Sequence, residues 1–96
     1  MVTAFVLIRT DPTQIPESAT QLADLENVTA VYSVTGTWDL VAMVRVRHYD
    51  ELADTISDRL SKVPGIRDTE TMLAFRAYSQ NDLEEGFALG FEGLEG

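Results

Sequence analysis

The sequence predicts an α+β fold, a four-stranded antiparallel sheet with two helices on one face. Three observations carry this. Four apolar stretches rich in β-branched residues are bounded by turn signals. Two further stretches repeat their apolar residues at helical spacing. The order along the 96 residues is β-α-β-β-α-β, and a chain of this length makes one domain.

Each element has its own justification. Val2 to Ile8 is a continuous apolar run ended by Arg9-Thr10-Asp11-Pro12, as expected of a strand covered on both faces. Pro16 suits a first helical turn. Ile15, Ala19, Leu22 and Leu25 follow at helical spacing, so a short helix is expected over 16–26, with Asn27 at its C-terminal end. Val28 to Thr35 and Trp38 to Arg47 read as the second and third strands. Only Gly36-Thr37 then lies between them, which predicts a tight hairpin. Tyr49, Leu52, Ala53, Ile56, Leu60 and Val63 predict an amphipathic helix. Asp50 and Glu51 favour its positive N-terminus, and Pro64-Gly65 stops it. Ile66 to Tyr78 is the fourth strand. With right-handed crossovers this order gives the ferredoxin-like arrangement. Leu83, Phe87 and Phe91 recur every four residues and predict a short C-terminal helix. Residues 1–79 are therefore expected to form the folded domain, and residues 80–96 an acidic tail.

Net charge is −9, with a pI near 4.3. Asp82, Glu84, Glu85, Glu92 and Glu95 concentrate this acidity in the tail, where no Lys or Arg occurs. Such a balance argues against direct nucleic-acid contact, which needs a basic face, and against anionic membranes. With no cysteine, disulfides, thiolate chemistry and Cys-based zinc sites are excluded. No apolar run approaches the roughly 18 residues of a membrane span. Met1-Val2-Thr3-Ala4 lacks a basic n-region and a cleavage site. A cytoplasmic protein is the expectation. His48 is the only histidine and, with no Cys and no adjacent acid triad, makes neither a metal site nor a nucleophile system; no cofactor is expected. Glu51, Asp54 and Asp58 follow helical spacing and read as a solvated helix face.

Two helices cover one side of a sheet. In the first strand Val2, Ala4, Val6 and Ile8 lie on one side, Phe5 and Leu7 on the other. In the third, Trp38, Leu40, Ala42, Val44 and Val46 alternate with Val41 and Met43. In the fourth, Leu73 and Phe75 are assigned to the side of Phe5, and Met72 and Ala74 to the opposite side. Phe5, Leu7, Val41, Met43, Leu73 and Phe75 would then form an exposed apolar patch of the kind that marks interfaces. Burying each is worth about 1.5–3 kcal/mol. A homodimer with two sheets face to face, a dimeric α+β barrel, is expected. A chain this short is marginal alone and gains from such pairing.

The stretch from Val31 to Leu40 carries the functional signal. Gly36 can adopt φ > 0 and expose backbone amides. Asp39 follows three residues later and is placed to grip a small cation. A ligand with both a carboxylate and an ammonium, such as a free amino acid, suits the pair. Together with Glu51-Leu52, Val63-Pro64-Gly65-Ile66 and Thr69-Glu70-Thr71, the motif Val-Tyr-x-Val-Thr-Gly-x-Trp-Asp-Leu resembles the effector domain of the Lrp/AsnC family of feast/famine regulators, also called the RAM domain. The resemblance covers residues 2–79.

This resemblance implies a non-catalytic module that binds a small effector, usually an amino acid, between dimers. It implies pairing through the sheets and further assembly into octamers or decamers. Carried onto this chain, the effector loop is Gly36, Thr37, Trp38 and Asp39, and the matching fourth-strand positions are Thr69 and Thr71. Full-length members of the family add an N-terminal helix-turn-helix domain. This chain begins at the first effector-domain strand, so a stand-alone domain is expected. It would regulate transcription indirectly, by joining full-length DNA-binding relatives or by docking on another protein.

The same residues admit plainer readings. Gly36 is also the φ > 0 residue a hairpin requires. Asp39 could cap the turn through local amides. Trp38 has the parity of core residues Leu40 and Ala42. Thr69 and Thr71 share a face with Leu73 and Phe75 and could edge the dimer interface. The tail could pack on a neighbouring subunit or dock on a basic partner. Two other function classes remain open: a small monooxygenase-like dimeric α+β-barrel enzyme, with His48 and Trp38 as its only candidate residues, and a purely structural ring-forming protein.

Overall fold

The computed structural model describes residues 1–78. Its elements are β1 (Val2–Thr10), α1 (Ile15–Ala23), β2 (Val28–Ser33), β3 (Leu40–Val46), α2 (beginning with Asp50–Ala53) and β4 (Ile66–Leu73). The expected tail helix lies outside the described residues. All strand pairs are antiparallel and the sheet order is β2-β3-β1-β4.

β1 is an inner strand, flanked by β3 and β4, and is apolar on both faces. Ala4, Val6 and Ile8 are wholly buried, and so are their β3 neighbours Val44, Ala42 and Leu40 in the paired register. Leu22 of α1 and Leu52, Leu60 and Val63 of the second helical segment close this face. Directly opposite residues in an antiparallel pair share a face, so Phe5 with Met43, and Leu7 with Val41, point the other way. All four are half-buried. Tyr32 of β2, opposite Val41, and Met72 of β4, opposite Phe5, are exposed beside them.

The fourth strand departs from expectation. Leu73 pairs with Ala4 and Thr71 with Val6, which puts Thr69, Thr71 and Leu73 on the helix side of the sheet. Met72 takes the outer place assigned to Leu73. Phe75 lies beyond the end of β4 and is 96% exposed. Met72, Leu73, Ala74 and Phe75 are all apolar, so alternation could not select a face there. The pairing with β1 selects it instead.

The hairpin also differs. β2 stops at Ser33 and β3 starts at Leu40, leaving residues 34–39 as a six-residue loop. α1 follows a 3-10 turn, Pro12–Gln14, and ends at Ala23, short of the expected 26. Asn27 keeps a left-handed φ of 73° four residues later. Its carbonyl accepts from Arg45 N at 2.9 Å, and its side-chain amide donates to Thr55 Oγ1 at 3.1 Å. The second helical segment widens after Ala53 into a π-helical stretch, Asp54–Arg59, then tightens into a 3-10 turn, Leu60–Lys62. Thr55 is buried there, while Tyr49, expected on the apolar face, is 65% exposed.

Two loop contacts set the path of the chain. Gly65 has φ +94°, and a Cβ there would meet Ser18 Oγ at 2.6 Å and Gln14 Oε1 at 2.7 Å. The Ser18 hydroxyl donates to Pro64 O at 2.8 Å, drawing the turn onto α1. Gly65→Ala is expected to destabilise the fold by about 1–3 kcal/mol, from strain and crowding together, as read by urea unfolding. At the entry to the 3-10 turn, Asp11 Oδ1 accepts from Thr13 N at 2.9 Å and from Thr13 Oγ1 at 2.8 Å. These bonds, with Arg67 adding to them, hold the Asp11 carboxyl below its ordinary range. A depressed folded pKa stabilises the fold at neutral pH, and that contribution is lost as pH falls through the folded value. Asp11→Asn should therefore lower Tm at pH 7, and its gap to wild type should narrow as pH falls below the ordinary Asp value of about 3.9.

Candidate functional site

The loop over residues 34–39 is closed by one bond, Val34 N to Asp39 O at 3.1 Å. Two more bonds tie its last residue to the end of β1. Asp39 N donates to Ile8 O at 2.9 Å, and Thr10 N donates to Asp39 Oδ2 at 2.9 Å. Asp39 thus caps a distant strand rather than its own turn. A hydrogen bond to a carboxylate contributes about 1.5–3 kcal/mol, enough to hold the foot of an otherwise open loop.

Thr35, Gly36 and Thr37 are exposed at the tip. Gly36 has φ +103°, and a Cβ there would meet nothing within 4 Å. Glycine is needed at this position for backbone shape, not for space. Trp38 is half-buried and carries the Arg9 guanidinium over its ring, 5.1 Å from the centroid. Trp38 lies outside β3 and outside the buried core, so its parity with Leu40 does not place it.

The two threonines are not brought to this loop within one chain. Thr69 pairs with Ile8, whose other neighbour is Leu40. Thr69 and Leu40 are therefore two strand spacings apart, roughly 10 Å. Thr71 lies further along β4. It lines an open groove of about 630 Å³ with Leu73 and with Tyr49, Asp50, Leu52, Ala53, Ile56 and Ser57 of the second helical segment. Sequence reasoning misses both this groove and the Arg9–Trp38 stack. The one signal for the groove is apolar Leu73, which alternation assigns to the wrong face.

Among the described residues no group of three or more His, Asp or Glu is arranged to hold a metal ion. None of the described helices is long and apolar enough to cross a membrane. His48 is exposed at the start of the second helical segment, and Trp38 lies at the opposite end of β3. The intervening strand separates them by roughly 20 Å.

Gly36→Ala is expected to cost about 1–2 kcal/mol from backbone strain alone. This is less than the cost of Gly65→Ala, and urea unfolding of the two variants side by side checks the ranking.

Residues 3–83 match the Lrp/AsnC ligand-binding domain. An uncharacterized HTH-type transcriptional regulator of Pyrococcus horikoshii is 40% identical over 77 residues, covering 76% of this chain and 51% of the relative. The chain spans about half the length of the curated relatives it matches. The crystal structure of TTHA0845 from Thermus thermophilus superposes with a TM-score of 0.78 at 45% identity, covering 83% of this chain and 100% of that one. A feast or famine regulatory protein from M. tuberculosis, complexed with L-methionine, gives a TM-score of 0.69 at 30% identity, covering 83% of this chain and 54% of that one. The domain match, the identity to these relatives and the shared sheet-and-helix architecture agree: the chain belongs to the Lrp/AsnC family and carries its ligand-binding domain.

Proposed function

We propose that this chain is a non-catalytic effector-binding and oligomerising module that senses an amino acid or a related small metabolite. The observation that carries this reading is the exposed loop at 35–37, whose Gly36 turns the backbone outward while Asp39 fastens its foot to β1. Amides at such a turn donate to a carboxylate, and the second Asp39 oxygen, which accepts no hydrogen bond among the described residues, would take an α-ammonium. The L-methionine complex of the related feast or famine regulatory protein supports the ligand class.

The ligand would sit between subunits. β1 stands between the loop and Thr69 and Thr71 in one chain, so a site using both would draw the loop from one subunit and β4 from another. Phe5, Leu7, Val41 and Met43 supply the face on which two sheets pair, with Tyr32 and Met72 in the places of Phe75 and Leu73. Octamers or decamers would follow from contacts between such dimers. The transcriptional role would be indirect, through mixed assemblies with full-length DNA-binding relatives.

Two or three charge-assisted hydrogen bonds, less ordering costs, give about 4–8 kcal/mol, or millimolar to micromolar affinity. Equilibrium dialysis against the common amino acids checks the reading. Wild type is expected to retain at least one of them, and Asp39→Ala to weaken that binding about tenfold or more. An assembled wild-type protein that retains none would overturn it.

A further inference from the structure

We infer that Arg9, held over Trp38, is the residue that takes the carboxylate of the ligand. This assignment rests on the effector-binding reading above and names a residue that reading did not include.

The geometry starts from the two bonds that flank Arg9. Asp39 is bonded to Ile8 O and to Thr10 N, the residues on either side of it. The backbone of Arg9 is therefore fixed against the foot of the loop. Strand alternation sends its side chain to the face opposite Ile8 and Thr10, both of which are buried. There the guanidinium lies over the Trp38 ring at 5.1 Å, two residues along the chain from Gly36. The ring presents the planar group without consuming its donors, because the contact is to the π face.

Among the described residues Arg9 has no ion-pair or hydrogen-bond partner for its side chain. Asp68 stands opposite it in the sheet register, yet among the described residues no carboxylate lies within ion-pair distance of Arg9. Two other arginines among the described residues are paired this way, Arg59 with Glu26 and Arg67 with Asp11. Arg9 is half-buried as a residue, and a guanidinium whose donors meet no acceptor among the described residues, beside an exposed loop, has the chemistry of a carboxylate clamp. Asp39 supplies the opposite charge on the same loop. The ligand class follows: a small molecule with a carboxylate and an adjacent cationic nitrogen, the carboxylate on Arg9 and the nitrogen on Asp39.

Isothermal titration calorimetry tests this with the common L-amino acids, their amides and the matching 2-oxo acids. For an amino acid that binds wild type, Arg9→Gln should raise Kd about tenfold or more, and Arg9→Lys by less. The amide, which lacks the carboxylate, should bind wild type and Arg9→Gln equally. Unfolding curves of the variants separate this from a loss of fold. Unchanged amino-acid binding in Arg9→Gln, or an equal loss for acid and amide, overturns the assignment while leaving the effector-binding reading intact. Arg9-dependent binding of 2-oxo acids without any amino acid keeps the assignment and removes the amino-acid reading. Binding of neither class removes both.

Discussion

The structure depends on a central strand that is apolar on both faces. Ala4, Val6 and Ile8 are wholly buried beneath the helices, while Phe5 and Leu7 point away from them. β1 pairs with β3 on one side and β4 on the other, so its register decides which residues of both neighbours enter the core. Two helices satisfy only one of its faces. The apolar residues opposite them are only half-buried in a single chain, and this is the physical reason for proposing that a second copy covers them.

The same strand leads to the ligand loop. Phe5, Leu7 and Arg9 alternate along its outer face, so the proposed pairing surface runs without a break into the residue stacked on Trp38. Asp39 clasps β1 on either side of Arg9. Two hydrogen bonds, not a flexible link, thus join the loop to the strand that carries the proposed pairing surface. In the proposed reading this is how an effector bound at the loop would bias assembly. By reciprocity, assembly would bias effector affinity by the same factor.

Much of the fold is legible in the sequence because β1 and β3 have strong apolar character over a full strand length. Ala42, Val44 and Val46 alternate cleanly with Met43 and Arg45, and the facing of β3 read from that alternation is correct from Leu40 onwards. β4 is legible as a strand but not in its facing, since Met72 to Phe75 offer apolar side chains at every position and the choice belongs to β1. The hairpin misleads for a related reason. Trp38 and Leu40 share parity, which extends the third strand backwards through a loop. Gly36 is recognisable as a φ > 0 position, and Asp39 as a capping residue, but its partner 29 positions away is not visible locally. The Arg9–Trp38 stack and the π-helical stretch that buries Thr55 are likewise products of tertiary packing, with no periodic signature.

Sedimentation velocity of the intact wild-type protein at about 10 μM, alongside Met43→Glu, shows whether a second copy covers the outer face of β1. A carboxylate at the middle of an apolar pairing face carries a heavy desolvation cost, yet in a single chain it is half-solvated and tolerated. Wild type is expected to sediment at twice 10.6 kDa or a higher multiple, and the variant, still folded, to fall to 10.6 kDa. A wild-type protein that remains at 10.6 kDa would overturn the pairing, because the outer face of β1 would then need no partner.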